Sequence, residues 1–292
     1  MLLAGCITAL VTPFDERGEL DLDAFTDLID RQLEAGVGGL VVAGSTGEAA
    51  MLDEREYRAL LRRAVEAVAG RVPVLAGTGL SGTAATVART RLAAEEGAVA
   101  ALVVTPPYVR PTQDGLVRHY EEVARRGGLP VVLYNVPGRT GCDLLPPTVE
   151  RLSGLEGMAG IKEAVADAER MRALIGLRRP GFAVLGGDDA SAGEAMRLGA
   201  DGLISVISNA APALTRQYLA RGEPAPELAE LIALAGVEPN PVPIKAVLAA
   251  LGVVRNVVRL PLVELTSRHR PAVDALAPRL ARAERAAREN LS

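Results

Sequence analysis

Short apolar runs alternate with helical patterns along the first three quarters of the chain. The helical patterns carry apolar residues at spacings of three and four, as in the stripe Leu22, Phe25, Leu28, Ile29 and Leu33. Asp53, followed by Glu56, predicts a helix start of the capping-box type. The predicted strands cover residues 5–11, 39–43, 73–76, 101–104, 130–133, 158–161, 182–185 and 202–206.

These strand runs are continuously apolar, a pattern typical of parallel strands that helices cover on both faces. Eight strand–helix units within about 220 residues predict a (β/α)8 TIM barrel over residues 1–222, an α/β fold. A doubly wound open sheet is the alternative, which the lack of a Gly-x-Gly-x-x-Gly run after the first strand disfavours. The alternation stops near Gly222. Helical patterns at 227–235, 243–251 and 271–290 then predict a C-terminal helical region over residues 223–292, packed on the barrel.

Composition narrows the classes of function. The net charge of the 292 residues is −4, without a basic stripe, so nucleic acid is not expected as a partner. The apolar run at 2–11 is too short and too interrupted to cross a membrane, so no membrane association and a cytoplasmic location are expected. Cys6 and Cys142 are predicted to be free thiols, no metal site is expected, and His119 is predicted to lie on a solvated helix face.

Lysine usage singles out one position. Of the 32 basic residues only Lys162 and Lys245 are lysines, and Lys162 follows the apolar pair Gly160-Ile161 at the end of a predicted buried strand. Arginine supplies charge equally well, but only lysine loses its proton readily enough to attack a carbonyl. The alternative for Lys162 is a snorkelling or ion-paired side chain. Lys245 lies in the helical region and is predicted to be structural or ion-paired.

Other polar residues follow the predicted strands. In a barrel these strand ends meet on one rim, where the chemistry takes place. Each residue type also has a purely structural explanation. A tyrosine can belong to the core, a hydroxyl can hydrogen-bond within a tight turn, an arginine can lie in an exposed loop, and an aspartate can cap a helix. A lysine, tyrosines, hydroxyls and an arginine on one rim suit a lysine-dependent aldol reaction on an oxo acid. The residues concerned are Ser45, Thr46, Tyr108, Tyr134, Arg139, Lys162, Asp188, Asp189, Ser205 and Ser208.

Six segments in order along the chain give a family resemblance: GSTGE at 44–48, TPPYVRPTQDGL at 105–116, YNVPGRTGCDL at 134–144, GIKEA at 160–164, GDDASA at 187–192 and VEPNPVPIK at 237–245. With these, the chain resembles the class I pyruvate-dependent aldolases of the dihydrodipicolinate synthase / N-acetylneuraminate lyase family. The resemblance implies a barrel, usually tetrameric, that needs no cofactor because pyruvate forms a Schiff base with Lys162.

The resemblance also implies roles for other residues. Tyr134 transfers protons through Ser45 to Tyr108, which in the family comes from the neighbouring subunit. Thr46 binds the carboxylate of pyruvate, and Arg139 binds that of the second substrate, L-aspartate 4-semialdehyde. Gly187 and Ile204 complete the substrate pocket.

Arg139 in its Gly-Arg-Thr-Gly run favours the synthase members, which form 4-hydroxy-tetrahydrodipicolinate for lysine and diaminopimelate biosynthesis. The alternative is another pyruvate-dependent aldolase of the family. Ser45 fits this alternative, because the synthases mostly carry threonine at this position and the lyases often carry serine. A non-catalytic barrel is a third hypothesis. It is disfavoured because all five side chains to which the resemblance assigns a catalytic or carboxylate-binding role are present, namely Ser45, Tyr108, Tyr134, Arg139 and Lys162. Lysine-inhibited members use polar and aromatic groups near six positions, few of which match here, so weak or absent feedback by lysine is predicted. These positions are Ala49, Glu54, Tyr57, Ser81, Ala85 and Pro107.

Overall fold

A computed structural model describes residues 3–289 of the chain. Within this range eight parallel strands close into a barrel, each hydrogen-bonded to the next and β8 to β1. The strands are β1 Gly5–Ala9, β2 Gly39–Val42, β3 Val74–Gly77, β4 Ala100–Val104, β5 Val131–Asn135, β6 Met158–Glu163, β7 Ala183–Gly186 and β8 Gly202–Ser205. The predicted TIM barrel is therefore confirmed, and the open sheet is wrong.

Helices follow the strands and wrap the barrel. Those of the described residues are α1 Leu22–Glu34, α2 Glu54–Val68, α3 Thr83–Glu95, α4 Gln113–Gly127, α5 Pro137–Thr140, α6 Pro146–Ser153, α7 Ala168–Ile175, α8 Ala192–Leu198, α9 Pro212–Arg221, α10 Pro226–Ala235, α11 Val242–Ala250 and α12 Arg270–Glu289. The predicted capping box is present at α2. The Asp53 carboxylate accepts from the backbone N–H of Glu56, and the Glu56 carboxylate accepts from the backbone N–H of Asp53.

The core has two layers, as expected for a sheet closed on itself. Most apolar side chains of the strands point outwards and pack against the helices. A smaller set points into the barrel, among them Ile7, Val41, Leu75, Tyr134 and Ile204. The barrel interior is thus filled with side chains, and only its rim is open to chemistry.

The C-terminal helices pack on the barrel. The buried Glu284 carboxylate of α12 accepts the backbone N–H groups of Ala213 and Leu214 at the start of α9. Because the first N–H groups of a helix lack partners within it, this carboxylate serves as a cap supplied from outside the barrel. The division at residue 222 stays a prediction, and Asn290, which the predicted last helix included, lies outside the described residues.

Two predictions about single residues need correction. His119 is 4% exposed rather than solvated, and its Nδ1 hydrogen-bonds Thr83 Oγ1 at 2.9 Å. Three residues after Leu116 and four before Val123, it shares the buried face of α4. Asp189 does not cap the next helix. Its carboxylate accepts from Ser205 Oγ at 2.6 Å and from the N–H of Val206.

The prediction of two free cysteines is confirmed. Cys6 and Cys142 are free buried thiols, and burial raises the pKa of Cys6 to about 12. Among the described residues no helix is long and apolar enough to span a membrane. Over the same residues no group of three or more histidine, cysteine or acidic side chains is arranged to hold a metal ion.

Candidate active site

A cavity of about 540 Å³ opens at the carboxyl ends of the strands. Three of the predicted site residues line it: Ser45, Tyr134 and Arg139. Its wall also includes Asn240, Pro261 and Leu262 from the C-terminal region. The cavity is therefore built jointly by the barrel rim and by the chain that follows the barrel, in the size range of small-molecule sites.

Lys162 and Tyr134 face each other across neighbouring strands. They are register partners in β5 and β6, so their side chains point to the same side of the sheet. Both are buried, and Lys162 Nζ lies 4.3 Å from the centre of the Tyr134 ring. In the part of the chain that the structure describes, no hydrogen bond or ion pair ties up Lys162 Nζ. An amine held against a phenol, without a carboxylate partner, is free for covalent chemistry.

Lys245 has the opposite environment, as predicted. Its side chain is fully buried, its Nζ forms an ion pair with Glu48, and it also donates to the Val257 carbonyl at 2.7 Å. Burial lowers the pKa of Lys245 to about 8, although the Glu48 carboxylate pulls it upwards. With its donors occupied and no exposed surface, Lys245 has no room for a substrate. Its role is to hold the loop after β2, which carries Glu48.

A buried polar network lies behind the Lys162–Tyr134 pair. Asn135 and Glu163 directly follow the two residues, and Asn135 Nδ2 donates to both Glu163 oxygens at 3.1 Å. Arg170 of α7 donates to Glu163 at 2.8 Å and also pairs with Asp143. Burial raises the pKa of the Glu163 carboxyl, and the Arg170 and Asn135 donors oppose that rise. The network fixes the spacing of β5 and β6 where the amine and phenol sit.

Ser45 and Thr46 lie on the loop after β2. Thr46 is buried, and its Oγ1 accepts from Asn240 Nδ2 at 2.9 Å. Ser45 is half-buried and lines the same cavity as Tyr134. The segment that follows β1 also holds this loop, because Thr12 Oγ1 donates to the Gly47 carbonyl at 2.7 Å. The Ser45 hydroxyl thus shares the cavity with Tyr134, and the Thr46 hydroxyl is held by Asn240 of the cavity wall.

Arg139 lies in the short helix α5, at the exposed edge of the cavity. Its Nη2 donates to the Asn240 carbonyl at 3.1 Å. The remaining N–H groups of the guanidinium are available to an anion in the cavity, since arginine carries five such donors in a planar fork.

Gly187 and Ile204 lie on the deep side of the site. A Cβ added to Gly187 would come within 3.0 Å of Lys162 Cε and 2.9 Å of the Glu163 carbonyl, so only glycine leaves the lysine its room. Ile204 is buried in β8 among the inward-pointing side chains. The Asp189 carboxylate holds the loop that follows Ile204, and burial raises its pKa.

Tyr108 stands apart from the other predicted residues. Its side chain is 91% exposed, and it does not belong to the cavity wall of its own chain. Of the predicted residues, the structure thus places Ser45, Tyr134 and Arg139 in one cavity wall. Lys162 adjoins this wall through Tyr134, Thr46 adjoins it through Asn240, and Gly187 lies against Lys162, whereas Tyr108 is on the surface.

Sequence reasoning missed Asn240, Glu48 and the Asn135–Glu163–Arg170 network. Asn240 and Glu48 occur in the segments that carry the family resemblance, yet neither has a spacing that predicts its contact. Their partners are 194 and 197 positions away along the chain. Only Asn135 and Glu163 offered a local signal, because each directly follows a predicted site residue at a strand end.

The chain is similar to known proteins over almost its whole length. Residues 2–279 match the model of the dihydrodipicolinate synthetase family. A 4-hydroxy-tetrahydrodipicolinate synthase from Xanthomonas axonopodis pv. citri is 58% identical over 286 residues, covering 95% of this chain and 94% of the relative. The corresponding synthase from Pseudomonas aeruginosa is 44% identical over 285 residues, covering 94% and 98%.

Solved structures of such enzymes have the same fold. Dihydrodipicolinate synthase from Thermotoga maritima superposes with a TM-score of 0.91 at 36% identity, covering 96% of this chain and 99% of that one. The chloride-inhibited synthase from Acinetobacter baumannii in complex with pyruvate gives 0.90 at 37% identity, covering 95% and 99%. With a family model that spans nearly the whole sequence and relatives above half identity, this chain belongs to the dihydrodipicolinate synthetase family.

Proposed function

We propose that the chain is a lyase that condenses pyruvate with L-aspartate 4-semialdehyde to give 4-hydroxy-tetrahydrodipicolinate, the entry to lysine and diaminopimelate biosynthesis. The observation that carries this proposal is the buried, unpaired Lys162 amine at 4.3 Å from the Tyr134 ring, in a chain 58% identical to such a synthase. The reaction needs no metal or organic cofactor, because Lys162 itself supplies the electron sink.

The first half of the reaction forms the nucleophile. The Lys162 amine attacks the keto carbon of pyruvate, the carbinolamine loses water, and an iminium ion results. Its positive nitrogen makes the pyruvate methyl group acidic, so loss of one methyl proton gives an enamine. Tyr134 is the residue that moves protons at the carbinolamine oxygen and at the methyl carbon, because its hydroxyl lies on the strand next to Lys162.

The second half joins the two substrates. The enamine carbon attacks the aldehyde carbon of the semialdehyde, forming the new carbon–carbon bond and a hydroxyl group. The amino group of the second substrate then displaces Lys162 from the imine carbon, which closes the ring and frees the enzyme. Overall one water leaves per pair of substrates. Thr46 binds the pyruvate carboxylate, since its oxygen accepts from Asn240 of the cavity wall and its hydroxyl proton is left to donate. Arg139, which lines the cavity, binds the carboxylate of the semialdehyde through the N–H groups that do not contact Asn240.

The proton relay is completed by Ser45 and by Tyr108 of a second copy of this chain. Tyr108 is exposed in its own chain, as a residue that serves another copy's site would be. We therefore propose a homo-oligomer, with a tetramer as the family's usual form, and a cytoplasmic location. Another pyruvate-dependent aldolase of the family is the second candidate, favoured only by Ser45 in place of threonine.

Borohydride trapping tests the covalent step. Pyruvate plus borohydride should add the mass of pyruvate, less water and plus two hydrogens, to the peptide that contains Lys162. Lys162→Arg keeps the charge and forms no imine, so it should give no adduct and no turnover. An adduct at Lys245 alone, or no adduct at all, would contradict the proposal.

The second substrate is tested with Arg139. Arg139→Ala should leave trapping by pyruvate unchanged and lower kcat/KM for L-aspartate 4-semialdehyde by on the order of 100-fold, because a carboxylate loses its charged partner. Arg151→Ala is a matched control, since this arginine only pairs with Asp114 on the surface. Equal losses in trapping and in turnover would contradict the role given to Arg139.

A further inference from the structure

Asn240 contacts both of the groups proposed to bind substrate carboxylates. It lies outside the barrel, between α10 and α11, and lines the cavity. Its side-chain Nδ2 donates to Thr46 Oγ1 at 2.9 Å, and its backbone oxygen accepts from Arg139 Nη2 at 3.1 Å. Two different atoms of one residue therefore connect the two ends of the site.

The side-chain contact decides where the Thr46 proton points. The amide nitrogen of Asn240 only donates, so the Thr46 oxygen accepts this bond and cannot donate back. The hydroxyl proton is thereby left for another acceptor. Thr46 is buried, but its neighbour Ser45 and its partner Asn240 both line the cavity, so the acceptor we assign to this proton is a substrate carboxylate in the cavity. Asn240 thus sets Thr46 up as a donor.

The backbone contact fixes the arginine. Arg139 is exposed at the rim, where a long side chain samples many rotamers. The Asn240 carbonyl holds one guanidinium nitrogen and leaves the others directed for a carboxylate. Because this acceptor belongs to the backbone, replacing the Asn240 side chain leaves it in place.

Asn240 is itself held firmly. The Val242 amide donates to the Pro239 carbonyl at 2.9 Å, and α11 is anchored by the buried ion pair of Lys245 with Glu48. Glu48 lies two residues beyond Thr46, so the loop after β2 and the segment before α11 are joined at two points. The hydrogen bond between Asn240 and Thr46 is therefore made between anchored partners.

We propose that Asn240 is a positioning residue for both substrates: its side chain orients Thr46 for pyruvate, and its carbonyl orients Arg139 for the second carboxylate. This inference rests on the proposed function for the identity of the substrates. It assigns to the C-terminal region a direct part in recognition by the barrel site.

The test separates the two contacts through KM. Asn240→Ala removes only the side-chain contact, so it should raise KM for pyruvate about tenfold and KM for the semialdehyde less than about threefold, with kcat largely kept. Asn240→Asp has the same shape but accepts the Thr46 proton, so it should raise KM for pyruvate further. Val237→Ala, in the same segment and away from both contacts, is the control and should match wild type.

A double-variant cycle checks the path through Thr46. Thr46→Val should raise KM for pyruvate, and adding Asn240→Ala should not raise it further, since the contact is already lost. Additive effects, an unchanged pyruvate KM in both Asn240 variants, or equal shifts for both substrates would overturn the inference. Asn240→Asp preserves the residue's volume, so it reports even where the alanine variant folds poorly.

Trapping distinguishes failure of the inference from failure of the proposed function. The pyruvate dependence of borohydride trapping needs no second substrate. No trapping in the wild-type chain overturns the function itself. Trapping in wild type with the same pyruvate dependence in every Asn240 variant overturns only the role of Asn240.

Discussion

At the residue scale, two lysines with identical side chains have opposite surroundings. The Lys245 amine is enclosed and contacts Glu48 and a carbonyl, while the Lys162 amine lies over the ring of Tyr134. A buried charge persists only where partners replace water, so the ion pair explains why a lysine is stable at 245. At 162, in the part of the chain that the structure describes, no carboxylate pairs with the amine, so no ion pair competes with a carbonyl for its nitrogen.

His119 offers a pH test at the same scale. Burial lowers its pKa to about 4 from an ordinary 6.5, so between these values the unfolded chain binds the proton and the folded chain does not. Its contribution to stability is therefore full above pH 6.5 and is lost as the pH falls towards 4. We expect His119→Gln to remove about 3 kcal/mol of the pH dependence of the unfolding free energy over this range.

The measurement is urea unfolding at several pH values from 4 to 7. The difference in unfolding free energy between wild type and variant cancels the contribution of the carboxylates, because these titrate over the same pH range in both proteins. His269→Gln is the control, because His269 lies at a surface where Glu238 is its neighbour. Parallel stability curves for wild type and His119→Gln would contradict the assignment of a buried neutral histidine.

At the element scale, the site depends on how β5, β6 and α7 are fastened together. Glu163 has no exposed side-chain surface, and Arg170 joins it to Asp143 in the loop that follows α5. The residues proposed to perform chemistry, Lys162 and Tyr134, face into the barrel, while Asn135 and Glu163, which directly follow them, face outwards to the helices. Strand alternation makes this division automatic, since successive side chains point to opposite faces.

Arg170→Met tests this arrangement. It leaves the Glu163 carboxylate buried without its cation, so unfolding should become easier by on the order of 3 kcal/mol. Turnover should fall as well, because Lys162 and Tyr134 lose their fixed spacing. Arg151→Met, which breaks the exposed pair with Asp114, should change neither quantity much. Wild-type stability in Arg170→Met, measured by urea unfolding, would show that the network is not holding the strands.

At the scale of the whole molecule, the site proposed here requires a second copy. Tyr108→Phe and Lys162→Arg should each be inactive alone. When the two chains are assembled together, a mixed pair regains one complete site, with Lys162 from one chain and Tyr108 from the other. We expect about a quarter of the wild-type activity from an equal mixture that pairs at random. No recovered activity in mixtures shown to be assembled would place Tyr108 in its own chain's site.

Regulation belongs to the same scale. Three of the six positions on which the prediction of weak lysine feedback rests line the cavity, namely Ala49, Ser81 and Pro107. Arg89 lies there too, with its guanidinium 4.7 Å from the centre of the buried Tyr57 ring. A cationic effector would meet a like charge, so millimolar L-lysine should leave the initial rate nearly unchanged in a steady-state assay. Strong inhibition would contradict this prediction.

Much of the fold follows from local pattern. Every predicted strand was found, with ends that differ by at most two residues, because the apolar runs and the helix starts are written in neighbouring residues. The proximity of Lys162 and Tyr134 was also predictable, since the ends of parallel strands in a barrel must meet on one rim. His119 was misplaced because its immediate neighbours are polar, although its helical period puts it on the buried face.

The sequence by itself therefore determined the barrel, its helical C-terminal region, the family and the amine at the rim. Only the tertiary structure decided which lysine is free and which is paired, that Asn240 links Thr46 to Arg139, and that Tyr108 points away from its own cavity. The physical reason is the distance along the chain over which each effect acts. Periodicity, capping and strand ends act over a few residues, whereas burial and hydrogen bonding of a side chain depend on partners that folding brings from almost two hundred positions away.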